Sequence, residues 1–132
     1  MILAVAISIP LIALAQVTDV NAEPSTDLIA QCRQEQVEKR TARCSADISH
    51  IQRLFMTKFY RERLAPPFCV PEGSHPATRR DALLLEINER PRLEKLSKVM
   101  LVFEVSKRRF PCPKGNSWSP YYVMGTKALE VR

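Results

Sequence analysis

Hydrophobic positions along the chain fall into one unbroken run followed by four spaced patterns. The run covers residues 2–15, ILAVAISIPLIALA, where only Ser8 and Pro10 are not apolar. Beyond it, apolar residues return at intervals of three and four, the period of a helix that buries one side. In 25–39, Ser25 or Thr26 can cap a short helix whose Leu28, Ile29, Cys32 and Gln36 share a face. In 44–64 the pattern is clearest. Ile48, Ile51, Phe55 and Phe59 recur with Leu54 alongside, while Arg53, Lys58, Arg61 and Arg63 fall mostly off that stripe. Ala65-Pro66-Pro67 ends this helix, because proline disfavours helix in the residue before it and lacks an amide hydrogen.

A Pro- and Gly-containing loop follows over 68–76, and a third helix is expected from Pro76 to Glu89, with proline tolerated in the first turn. Ala82, Leu83, Leu85 and Ile87 supply its apolar side. Arg90-Pro91 breaks it. A fourth helix is expected over 92–109, with Leu96, Val99, Met100, Phe103 and Ser106 or Lys107 on its face and Leu93 and Phe110 at its ends. The run VMLVFEV would also suit a strand; its length and its 3.6-residue spacing decide for helix. Lys107, Arg108 and Arg109 crowd the C-terminal end, where the helix dipole favours cations. Only three glycines occur in the 132 residues, which disfavours hairpin-rich barrels and phosphate-cradling loops. The expected fold class is therefore all-α: a small disulfide-stabilised bundle of about four helices.

The leading run is short of the roughly 20 residues a membrane span needs, and it matches the apolar core of a secretory signal peptide. Small residues precede two cleavage positions: Ala13 and Ala15 before Gln16, and Val20 and Ala22 before Glu23. The second divides the chain into a signal peptide (1–22), a helical domain (23–112) and an aromatic tail (113–132). Only Met1 precedes the run, so the basic segment usual at the start of such a leader is missing. Residues 1–22 hold one acid, Asp19, and no Lys or Arg, so a net charge of +6 on the whole chain becomes +7 on the remainder. The tail carries Trp118, Tyr121, Tyr122 and Val123, which suit packing on the bundle or an exposed contact patch.

Export gives the cysteines a role. Cys32, Cys44, Cys69 and Cys112 all follow the expected cut, and an even number in a short exported chain reads as two disulfides. No CxxC occurs and only His50 and His75 are present, so neither a structural zinc site nor a thioredoxin-like redox site is expected. Cys32 and Cys44 would lie about 18 Å apart in one continuous helix, against about 4.4–6.8 Å between bridged Cα atoms. They pair only if the chain turns within the polar stretch 38–43. Cys69 precedes the third helix and Cys112 follows the fourth. If those helices form an antiparallel hairpin, their outer ends meet. The expected pairs are Cys32–Cys44 and Cys69–Cys112, the second closing a loop of about 44 residues.

With that unit in view, the stretch from Phe68-Cys69-Val70-Pro71-Glu72-Gly73, through Glu89-Arg90-Pro91, to Arg109-Phe110-Pro111-Cys112 resembles the Rap/Tai family, periplasmic immunity proteins of bacterial type VI secretion. Leu28-Ile29-Ala30-Gln31-Cys32, followed by Cys44, is similar to that family's N-terminal cysteine pair. The chain departs from the pattern at Ser45-Ala46-Asp47-Ile48-Ser49, where the family often carries Gly and Tyr, and at Arg90, where a His often precedes the Pro. The resemblance implies a small helical protein that binds and blocks a secreted peptidoglycan amidase effector. It also implies a possible homodimer. It marks no effector-contact residue.

Catalytic chemistry has little to stand on. His50, just before Ile51, lies near the apolar stripe and suits a partly buried structural role, His75 a weak helix cap, and Glu72 either a cap or solvent. No cofactor, metal ion or catalytic residue is expected, and no membrane span in the mature form. The basic surplus suits a solvated surface, an acidic protein partner, or an anionic lipid or cell-wall polymer, in that order. Nucleic acid is disfavoured by export. A second reading from another class is a small periplasmic stress chaperone of the acid-resistance helical type.

Overall fold

A computed structural model describes residues 23–71 and 73–113 of the chain. The expected leader, Glu72 and the tail aromatics Trp118, Tyr121 and Tyr122 lie outside the described residues. Four α-helices form the fold: α1 (Thr26–Glu38), α2 (Arg43–Arg61), α3 (Pro76–Glu89) and α4 (Lys98–Arg109), with a 3₁₀ turn at Pro91–Lys95. No helix among the described residues is long and apolar enough to cross a membrane.

The apolar faces meet in two clusters. The larger joins Leu28 and Ile29 of α1, Ile48 and Ile51 of α2, Leu83 and Ile87 of α3, Leu93 of the 3₁₀ turn, and Leu101, Val102 and Val105 of α4. The smaller holds Met56, Phe68 and Val70, with the rings of Phe55, Phe103 and Phe110 packed against it. Phe55 and Phe103 stack at 4.5 Å between centroids. That spacing is typical of favourable aromatic pairs and ties α2 to α4.

The turn between α1 and α2 contains neither Gly nor Pro. Lys39 supplies the left-handed residue instead, at φ 54°, and the Arg40 N–H donates to the Glu35 carbonyl at 3.1 Å. An L-residue rarely takes that conformation unless its surroundings hold it there. Here the turn is closed by the Cys32–Cys44 disulfide, with Cα atoms 5.0 Å apart. It is also closed by Glu35, whose Oε1 accepts from the Cys44 N–H at 2.8 Å. Ala42 offers α2 no side-chain cap, so a carboxylate from the preceding helix serves as one. Glu35 is buried at 3% exposure, and the expected face residue Gln36 is exposed.

The second disulfide, Cys69–Cys112, forms as expected, with Cα atoms 4.8 Å apart. The route to it differs from a simple antiparallel hairpin. Arg109, at the end of α4, lies 2.8 Å from Glu86 and 3.1 Å from Glu89, both near the end of α3 rather than its start. The 3₁₀ turn accounts for this. It lies within the eight residues, 90–97, that carry the chain away before α4 begins at Lys98, where Ser97 caps the helix by accepting from the Met100 N–H. The fourth helix therefore begins at Lys98 rather than at residue 92. The pattern from Leu93 to Val99 runs on unbroken in spacing and hides that boundary.

Burial also corrects several face assignments. Leu54, Leu85 and Met100 are exposed, whereas Gln52 and Met56 of α2 are buried; of the two residues offered for the face of α4, Ser106 is buried and Lys107 exposed. Gln52 Nε2 donates to Ser106 Oγ at 2.9 Å, so this polar pair is matched inside the core. Glu86, at 4% exposure, is held by Arg109 and by Arg90 at 3.8 Å. A buried carboxylate without such partners would be strongly unfavourable.

Candidate interaction surface

The residues singled out for chemistry do not converge. His50 is exposed on α2, not partly buried: one residue before Ile51, a rotation of about 100° turns it out of the core. His75 acts as the expected cap, its Nδ1 accepting from the Ala77 N–H at 3.1 Å. Glu72 lies outside the described residues. Among the described residues, no three His, Cys, Asp or Glu side chains are placed to hold a metal ion.

The four cysteines build the frame instead. At the second disulfide, the Cys69 N–H donates to the Phe110 carbonyl at 2.7 Å, so the loop before α3 and the end of α4 meet covalently and through the backbone. Gly73 sits at φ 78°, a conformation that favours glycine. A Cβ there would meet nothing within 4 Å, so the backbone angle alone accounts for the residue. Ser74 Oγ donates to the Pro71 carbonyl at 2.6 Å and closes the turn that launches α3.

Among the described residues, two concave surfaces stand out. The first is the outer side of α2. His50, Arg53, Leu54, Thr57, Lys58 and Arg61 recur at three- and four-residue steps and line a shallow cleft of about 540 Å³. Its inner counterpart, Ile48, Ile51, Gln52 and Met56, is buried, so packing aims the cations outward. Leu54 is 56% exposed and places an apolar side chain among them. Lys58 reaches Glu62 at 3.9 Å, a loose exposed pair of little strength. Beside this stripe, burial and then the nearby charge of Arg53 push the Arg79 guanidinium below its ordinary pKa.

The second surface is a groove of about 450 Å³ between α1 and α3, lined by Arg33, Gln36, Asp81, Leu84, Leu85 and Asn88. Its charges are already matched. Gln36 Nε2 donates to Asp81 Oδ1 at 3.3 Å, and Arg33 pairs with Glu94 at 3.0 Å. The groove is thus balanced in charge, whereas the α2 stripe presents mostly cations. Compared with known proteins, the chain matches no family model, no curated protein and no solved structure.

Sequence spacing had separated Arg53, Lys58 and Arg61 from the buried stripe of α2, and the structure gathers them on one outward face. It had no means of adding Arg79, which arrives from another helix. Nor did it mark Glu35, although that residue lies one turn from Cys32 and so on the side of α1 that faces the disulfide.

Proposed function

We propose that this chain is a periplasmic immunity protein that binds a secreted peptidoglycan amidase and blocks its substrate cleft. The observation that carries the reading is the clasp at Cys69–Cys112. Two stretches 43 residues apart, both of the Rap/Tai pattern, are joined into one rigid unit. A protein that inhibits by occupying a cleft needs rigidity more than it needs reactive groups. Each side chain and loop already fixed before binding is one whose freedom is not lost on binding. Two disulfides suit an oxidising compartment, which the periplasm supplies. The basic stripe on α2 adds steering toward an acidic enzyme surface, speeding encounter more than tightening the complex.

The test is to look for an amidase gene beside that of this chain and, with its product, to follow hydrolysis of purified peptidoglycan. Stoichiometric addition of the disulfide-bonded protein abolishes hydrolysis if the reading is correct. Undiminished hydrolysis at a tenfold excess, on the order of what a weak complex would still respond to, rules it out. Suppressed aggregation of several unrelated proteins on acidification would instead favour the stress-chaperone reading.

A further inference from the structure

In the crowded parts of this protein, cations have acids. Arg80 pairs with Asp81, Arg109 with Glu86 and Glu89, and Lys98 with Asp47. The seam between α2 and α3 breaks that pattern. Arg79 of α3 crosses to α2 and its Nη1 donates to Ser49 Oγ at 3.2 Å. Its Nε is buried and has no acceptor among the described residues. Arg53 lies one helical turn beyond Ser49, on the side that Arg79 reaches, and neither guanidinium has an acidic partner among the described residues. The two charges feel each other: Arg53 adds to the effect of burial in holding Arg79 below its ordinary range.

Two cations on neighbouring turns of one partly dry seam, the first bonded to Ser49 with a donor left over, make an arrangement that an anion would complete. Guanidinium forks present paired N–H groups in one plane, the shape that carboxylate and phosphoryl oxygens match. The Ser49 hydroxyl accepts from Arg79 and is free to turn its own hydrogen toward the same anion. We propose that Arg53, Arg79 and Ser49 form a receptor for a single oxyanion, a carboxylate or a phosphoryl group, at the α2–α3 seam. The receptor stands on these three residues alone and does not depend on an amidase partner.

The test is an NMR titration of the intact, disulfide-bonded chain with sodium glutarate and, separately, with inorganic phosphate, ionic strength being held constant with sodium chloride. Saturable shifts are expected at the Ser49 and Arg53 amides and at the Arg79 Nε–H. Tighter saturation by glutarate identifies a carboxylate receptor, and tighter saturation by phosphate a phosphoryl receptor. Arg53→Gln and Arg79→Lys each weaken binding by about tenfold, the scale of one charge-assisted hydrogen bond. Arg79→Lys keeps the charge and removes the fork, and exposed Arg53 can be replaced without disturbing the core. Arg61→Gln, two turns further along the same stripe, leaves binding unchanged. Shifts that never saturate, or an equal loss in Arg61→Gln, would overturn the proposal by showing a diffuse basic face with no site.

Discussion

Cys32–Cys44 lies inside the core that it staples, whereas Cys69–Cys112 ties a loop to the end of a helix beside a much smaller cluster. Both half-cystines of the first are fully buried, and the chain between them is only twelve residues from end to end. The second spans 43 residues; Cys69 is buried and Cys112 only partly so. Around the first, polar groups do much of the work: Glu35 caps α2, Lys39 turns left-handed, and Arg40 is paired with Glu38. Around the second, the contacts are aromatic, with Phe68 fully buried and meeting the Phe103 ring edge-on at 6.3 Å. One staple therefore holds a sharp turn that its sequence disfavours. The other holds together elements that are distant along the chain.

Loop length sets the largest expected difference. On the chain-entropy estimate, opening Cys69–Cys112 by Cys→Ala at both positions destabilises by about 4 kcal/mol, and opening Cys32–Cys44 in the same way by about 3 kcal/mol. Urea unfolding of the two double variants measures both. If the shorter loop proves the more costly to open, packing around the buried Cys32 and Cys44 sulfurs outweighs chain entropy and the comparison must be redrawn.

The polar character of the first end is checked by Glu35→Ala. That change leaves the Cys44 N–H buried without its acceptor, which costs about 1–3 kcal/mol. Glu35→Gln retains an oxygen at that place and loses less. Equal stability of Glu35→Ala and the parent in urea would show that water takes over the cap. The matching cap at the other end is weaker. His75 is exposed, so its replacement by Ala should lower stability by roughly 0.5–1 kcal/mol, read in the same unfolding experiment. A loss as large as that of Glu35→Ala would erase the contrast between the two ends.

Much of this frame was legible in the sequence, and the misses have physical causes. The Cys32–Cys44 pair followed from the polar break that lets the chain turn between them; the Cys69–Cys112 pair forms too, but not through the antiparallel hairpin from which it was expected, since the end of α4 lies against the end of α3. The stripe Ile48–Ile51 marked the inner side of α2 correctly. The start of α4 was missed although its signal was present: Ser97 is a good cap, but the apolar spacing from Leu93 onward runs through it without interruption. Leu85 and Met100 were assigned to the core by hydrophobicity, while the charged Arg80 and Glu86 take buried places on α3. Such burial depends on partners from other elements, the Arg40 carbonyl and Arg109, and linear spacing does not reveal them. The Arg53–Arg79 seam is invisible for the same reason, since it exists only where α2 and α3 cross.

The smallest effect belongs again to the turn closed by Cys32–Cys44. The Glu38 carboxyl is held below its ordinary pKa, first by the amide of Gln34, which donates to it at 3.0 Å, and then by Arg40. A carboxylate whose pKa falls on folding stabilises the native state above the pKa it has when unfolded. That contribution is lost as pH falls through the lowered, folded value. Glu38 is exposed, so the increment is small and salt weakens it further. Thermal unfolding of the parent and Glu38→Gln, followed from neutral pH down through the carboxylate range at low salt, isolates it. The parent should be slightly the more stable at neutral pH, and the two curves should converge at the acid end. A gap that stays constant with pH would mean that Glu38 acts through its shape and hydrogen bonding rather than its charge. The α1–α2 turn would then rest on the disulfide and the Glu35 cap, bringing it closer in kind to the end held by Cys69–Cys112.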